Sequence, residues 1–100
     1  MFEREVGMKL FNKFPFADKP NTATFTCVHV INKEKPILYV IHDEDGFWQF
    51  LCGDNHSDEE ATIVSLEEIY KIDKSIERLV NLDYGQSAYR KDKTSDWINE

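Results

Sequence analysis

Two cysteine and histidine motifs carry the side chains of this chain that are best suited to chemistry. Cys27 and His29 are two residues apart in a β-rich stretch, and Cys52 and His56 lie at the end of another such stretch and in the loop after it. Two thiols and two imidazoles match the number and type of ligands in a closed zinc site. Their spacings match no known zinc motif, and free cysteines are often buried in ordinary cores. The motifs favour two buried thiols beside histidines, with a zinc site at these four residues as the alternative.

A cysteine-dependent enzyme is a third interpretation of the same region. Cys52 has His56 and Asp54 close by in sequence, and a thiol nucleophile needs a base and an orienting carboxylate. Residues so close in one loop rarely point at a common atom, and no glycine-rich oxyanion turn or basic substrate-binding group accompanies them. A calcium loop starting at Asp43 fails because Phe47 occupies its fifth position. We assign no catalytic residue and predict a protein that is not an enzyme and needs no cofactor, apart from the zinc alternative.

The negative charge of the chain is concentrated in one interval. The formal net charge is −7, and residues 42–60 contain seven acidic residues and no lysine or arginine. Such a field repels phosphate backbones and attracts cationic partners. The distribution argues against nucleic-acid binding and favours a basic protein partner, with solvated acidic loops as the alternative. The predicted partner-binding residues are Asp43, Glu44, Asp45, Trp48, Asp54, Asp58 and Glu59.

Length and composition predict one small domain spanning residues 1–100. Of the 100 residues, 41% are hydrophobic, which is enough for one core and too few for two domains. Two cysteines are too few for a disulfide framework, and Glu3, Arg4 and Glu5 stand where a signal peptide needs an apolar stretch. The longest apolar run, residues 37–41, is far shorter than the roughly 20 residues of a membrane span. We therefore expect a cytoplasmic protein that is not inserted in a membrane.

β-Branched and aromatic residues predict a β-meander over residues 22–65. Strands are expected at residues 22–31, 37–42 and 47–52, with turn residues between them and a short fourth strand at 62–65. With two or four residues in the acidic loop, one core face contains Ile37, Tyr39, Ile41, Trp48, Phe50 and Cys52. His42 then lies on the opposite face. Because both faces are apolar, we expect a helix on one side and the N-terminal segment on the other.

Residues 66–82 are predicted to be helical. Ser65 and Glu68 form a capping box before an apolar stripe, and Asp73 can cap a second short helix, so one helix and two helices both remain open. Residues 83–100 are expected to form a C-terminal edge strand and a tail, with Trp97 docked on the body. The predicted fold class is α+β, an antiparallel β-sheet of three to five strands with one or two helices packed on one face.

Residues 1–20 form an N-terminal aromatic segment. Phe11, Phe14 and Phe16 are close together in it, around Pro15. Terminal aromatic side chains pack either on their own core or on a neighbouring chain. We predict that these three residues cover the core, with a homodimer contact as the alternative.

The acidic hairpin resembles the sequence motif of a known group of bacterial proteins. Residues 42–54 contain an acidic loop, Gly46, Trp48, Phe50 and the pair Gly53 and Asp54. This pattern is similar to the core motif of the immunity-protein-33-like domain of unknown function, a group associated with polymorphic toxin systems. A looser match extends the resemblance over residues 23–90. The chain departs from the motif at residue 52, where the group has serine, and its first twenty residues have no counterpart.

The resemblance implies a cytoplasmic bacterial protein that binds and blocks a toxin without catalysis. It places Asp43, Glu44, Asp45, Trp48 and Asp54 on the exposed edge of the motif. An acidic patch beside an aromatic side chain can steer a protein onto a basic toxin surface, with charge setting the association rate. We therefore predict a non-catalytic, immunity-like protein-binding module, with a zinc-binding interaction module as the alternative.

Overall fold

The computed structural model of the chain describes residues 14–53 and 61–100, which form one mixed β-sheet with helices on one side. In chain order the elements are β1 (Ala23–Cys27), α1 (Val28–Ile31), β2 (Tyr39–His42), β3 (Trp48–Leu51), β4 (Ala61–Ser65), α2 (Leu66–Ile72), a 3-10 helix (Lys74–Leu79), β5 (Gln86–Tyr89) and β6 (Ile98–Asn99). The predicted α+β class is confirmed.

The strand order is β4-β1-β3-β2-β5-β6, and β1 runs parallel to β3 whereas the other neighbouring pairs are antiparallel. The prediction of three to five antiparallel strands is therefore only approximate, since the described residues form six strands with one parallel pair. The first three strands are not a meander. After β1 the chain enters β2, which lies two positions away in the sheet. The hairpin then places β3 between β1 and β2. β5 is not the predicted edge strand, because β6 pairs with it.

An odd-length loop joins β2 to β3. The Asp43 N–H donates to the Phe47 carbonyl at 2.9 Å, which leaves Glu44, Asp45 and Gly46 as a three-residue loop. Gly46 has a φ of 91°, a left-handed conformation that favours glycine and is typical of such loops. The Asp43 carboxylate also accepts hydrogen bonds from the N–H groups of Asp45 and Phe47, at 2.9 and 3.1 Å. Asp43, the residue just before the loop, therefore stabilises the turn.

The odd loop reverses the faces that an even loop predicts. His42 pairs with Trp48, so it faces the helices rather than the opposite side. Tyr39 and Ile41 lie on the other side and are only half-buried, so their assignment to the core face is wrong. The strand residues that face the helices, which we call the inner face, include Thr24, Thr26, Val40, His42, Trp48, Phe50 and Ala88.

Two capped helices close the core over the inner face. The Ser65 hydroxyl accepts a hydrogen bond from the Glu68 N–H at 3.1 Å, and the Asp73 carboxylate accepts one from the Ser75 N–H at 2.9 Å. Both predicted caps are present, and the two-helix alternative is the one observed. The helical side chains buried in the core are Leu66, Ile69, Ile76 and Leu79.

Aromatic side chains before β1 cover one end of this core. The ring of Phe16 meets that of Trp48 edge to face at 5.2 Å, and Phe14 meets Tyr70 of α2 in the same way at 5.9 Å. Phe14 and Phe16 thus cover the core of their own chain, as predicted. Phe11 lies outside the described residues.

Arg90 connects β5 to the helical layer and to the C-terminal tail. Its guanidinium donates to the Ile37 carbonyl at 3.0 Å and to the Ser75 hydroxyl at 3.0 Å, and it pairs with the Asp73 carboxylate at 2.6 Å. The Trp97 ring stacks on the guanidinium at 4.2 Å, which docks the tail as predicted. Arg90 is only 4% exposed, so these contacts compensate a buried charge.

Replacing Arg90 by alanine should lower the free energy of unfolding by about 3–5 kcal/mol, because it leaves Asp73 in a partly buried site without its cation. Urea denaturation, monitored by circular dichroism, would measure the change in the free energy of unfolding. The matched control is Arg78→Ala, which removes an exposed pair to Asp96 and should leave the unfolding free energy almost unchanged. Equal effects of the two substitutions would contradict the role given to Arg90.

Asp73 should make the stability depend on acid pH. Burial alone raises the pKa of this carboxyl, but hydrogen bonds from Ser75 and the Arg90 charge outweigh it and hold the pKa below its usual value. A lowered pKa in the folded state stabilises the protein above the unfolded pKa of about 3.9, and this contribution is lost as the pH falls through the folded pKa. Asp73→Asn should therefore flatten the decline in unfolding free energy between neutral and acid pH. An unchanged slope would contradict the prediction.

Candidate functional site

The face of the sheet that points away from the helices is uncharged. None of the described strand residues on this side carries a charge, although 31% of the whole chain is charged. We call this surface the outer face, and it contains Phe25, Tyr39, Ile41, Gln49, Leu51, Ile63, Ser87, Tyr89 and Ile98. A sheet with one solvated face normally alternates apolar and polar side chains. Apolar residues on both faces are typical of a sheet that is covered on both sides.

Several large apolar side chains of the outer face are exposed. Ile63 is 62% exposed, Phe25 is 38% exposed, and the two residues are paired across β1 and β4. Phe47 extends this group at the hairpin, since its ring lies 5.9 Å from that of Phe25 and is 46% exposed. Tyr89 and Ile98 continue the apolar surface at the other side of the sheet. This surface was not predicted, because a hairpin loop of even length places Tyr39 and Ile41 on the core face.

The acidic hairpin borders one end of the outer face. Glu44 and Asp45 are exposed there, next to Phe47. Trp48 is only 1% exposed, so it lies in the core and not on the exposed edge of the motif. Of the other predicted partner-binding residues, Asp54, Asp58 and Glu59 lie outside the described residues.

Strand β3 separates the hairpin tip from Gly53, the last residue described before residue 54. The hairpin tip precedes β3, whereas Gly53 follows β3 at the opposite end of the strand. Ala61, which begins β4, pairs with Cys27 at that same end. Four residues of strand, or roughly 13 Å, therefore separate the tip from Gly53 and Ala61. Among the described acids of residues 42–60, Asp43, Glu44 and Asp45 lie at the hairpin.

Three of the four predicted metal ligands meet at the end of β1. The Sγ atoms of Cys27 and Cys52 and a ring nitrogen of His29 all lie within 4.8 Å of one another. The parallel register that pairs Thr26 with Phe50 brings the end of β1 beside the end of β3. We call these three residues the thiol–histidine cluster. The fourth predicted ligand, His56, lies outside the described residues.

The local structure around His29 differs from the prediction. β1 ends at Cys27, and a single helical turn begins at Val28, so Cys27 and His29 do not lie two apart on a strand. The turn nevertheless brings the imidazole to the thiols. The His29 carbonyl accepts hydrogen bonds from the N–H groups of Glu34 and Lys35, at 2.9 and 3.2 Å, which hold this turn in place.

The two thiols of the cluster are buried and interact with each other. Cys27 is fully buried, Cys52 is 2% exposed, and they form no disulfide. Burial raises the pKa of Cys27, but hydrogen bonds involving the backbone of Val30, the backbone and thiol of Cys52 and the side chain of His29 outweigh it and lower the pKa to about 7. These hydrogen bonds therefore favour the thiolate form of Cys27.

The third histidine, His42, belongs to the core and not to the cluster. It lies on the inner face at the opposite end of β3 from Cys52, stacked on Trp48 with ring centroids 3.8 Å apart. Its Nδ1–H donates to the Leu82 carbonyl at 2.7 Å. The cysteine-enzyme interpretation depends on His56 and Asp54, both outside the described residues, and stays untested.

No family model matches this chain, and no curated protein and no solved structure shows significant similarity to it. The resemblance to the immunity-protein-33-like domain therefore stays a prediction. Within residues 14–53 and 61–100, no helix combines the length and the apolar character that crossing a membrane requires.

Proposed function

We propose that this chain is a non-catalytic protein-binding module that binds its partner through the outer face. The observation that carries the proposal is the combination of exposed apolar side chains and absent charges on one whole side of the described sheet. Large contiguous apolar patches are uncommon on monomeric proteins and mark interaction surfaces. Phe25, Phe47 and Ile63 are the central contacts, a role that sequence analysis had given to Trp48.

The charge of the chain favours a basic partner. Stable interfaces combine an apolar centre with a polar rim, and complementary charge at the rim accelerates association. Here the rim includes the exposed Glu44 and Asp45, and the whole chain carries a net charge of −7. The partner is therefore a protein with an apolar patch bordered by lysine or arginine. A basic toxin blocked in the bacterial cytoplasm, which the sequence resemblance suggests, is one such partner.

The outer face is tested by a paired substitution. Phe25→Ser together with Ile63→Thr removes two exposed apolar side chains and should abolish retention of a partner that the unchanged chain captures from cells of its source. The matched control, Glu67→Ser with Lys71→Thr, changes two exposed positions on α2 and should retain the partner. Circular dichroism verifies that both variants are folded. Equal capture by both variants would contradict the proposal.

Analytical ultracentrifugation of the same proteins distinguishes a second copy from a foreign partner. The proposal expects the unchanged chain to sediment as a monomer. Self-association that disappears in the Phe25 and Ile63 variant but persists in the α2 control would assign the outer face to a homodimer and overturn the proposed partner.

Neutralising the hairpin tip should slow partner association without changing the apolar contacts. Glu44→Gln with Asp45→Asn should lower the association rate constant and flatten its dependence on salt, because exposed charges act through a screened field. Surface plasmon resonance against the captured partner measures both. The control, Glu34→Gln with Glu67→Gln, removes the same charge away from the tip, and an equal effect would contradict a specific role for the tip.

A further inference from the structure

We propose that Cys27, His29 and Cys52 form a binding site for a zinc ion. The proposal is independent of the outer face and rests on the convergence of three ligand atoms within 4.8 Å of one another. In a tetrahedral zinc site with Zn–S bonds near 2.3 Å, neighbouring ligand atoms are about 3.8 Å apart. The side chains therefore need to move by roughly 1 Å or less to bind the ion.

The three ligands come from segments that the fold holds in place. Cys27 ends β1 directly after Thr26, whose hydroxyl donates to the Phe50 carbonyl of β3 at 2.6 Å. Cys52 follows β3, where Gly53 turns the chain with a φ of 87°. His29 is fixed by the α1 turn. The site thus has the preorganisation that a metal centre needs, since its ligands lie on ordered elements and not on one free loop.

The ligand set selects the ion. Two sulfurs and one imidazole suit zinc and other thiophilic cations, whereas magnesium and calcium prefer oxygen ligands. Three protein ligands leave a fourth coordination position, which in zinc proteins is taken by water or by another ligand.

Zinc at this position would connect the ends of β1 and β3 through α1. The unfolded chain does not hold the three ligands together, so binding should stabilise the folded state and raise the melting temperature as the free zinc concentration increases. The ion would act next to Gly53 and Ala61, where segment 54–60 leaves and rejoins the sheet.

The test uses the full chain, purified without an affinity tag or chelator and then loaded with zinc or with cobalt alone. We expect about one zinc per chain by elemental analysis, a thiolate-to-cobalt charge-transfer band, and two thiols that react with a thiol reagent only after chelation. Absence of bound metal, with thiols equally reactive in the presence and absence of zinc, would overturn the proposal. A Cys27 to Cys52 disulfide that persists in the isolated protein despite added zinc would overturn it as well.

A matched pair of histidine variants identifies the ligand. His29→Asn should weaken zinc binding by more than the roughly 10–100-fold that follows loss of an outer-shell partner. His42→Asn makes the same change in the core and should leave zinc affinity unaltered. Equal affinities of both variants and the unchanged chain would remove His29 from the site. Should a variant fail to fold, the cobalt spectrum and the thiol protection of the unchanged chain still decide the proposal.

Discussion

Thr26 and Phe50 face each other across the parallel pair of the described sheet, where the buried Thr26 hydroxyl donates to the Phe50 carbonyl at 2.6 Å. A buried hydroxyl without a partner costs free energy, so this bond favours one register over its neighbours. A slip by one residue would turn Thr26 outward and Phe25 inward, exchanging the two faces of β1. The same register brings Cys27 beside Cys52. Both proposed sites thus depend on how β1 pairs with β3.

Much of the local structure is predictable because the signals are local. The hydroxyl of Ser65 and the carboxylate of Asp73 cap the helices that they precede in sequence, and such caps need only neighbouring N–H groups. The parallel pairing is different, because it joins residues 24 positions apart and no short motif specifies it. The turn at Val28–Ile31 also escapes prediction. Its residues favour a strand, but their tertiary environment places them in a helix.

The thiol–histidine cluster was predictable in its ligand types and not in its placement, whereas the outer face was not predicted. The thiols and His29 could be identified by ligand type, although the sequence could not show that β3 would bring Cys52 next to β1. A three-residue loop in place of an even one reversed the hairpin faces, which moved His42 to the inner face beside Trp48 and moved Tyr39 and Ile41 onto the outer face. Glu44 and Asp45 of the acidic interval are exposed at the hairpin tip, but the sequence could not show the length of strand between the tip and Gly53.

The two tryptophans of this protein lie against different partners, so their fluorescence reports on two separate regions. Trp48 lies in the core against the His42 imidazole, whereas Trp97 lies over the Arg90 guanidinium at the junction of body and tail. Each indole therefore lies in a different environment. Loosening of the tail changes one emission and melting of the core changes the other, so fluorescence can separate local detachment of the C-terminus from global unfolding.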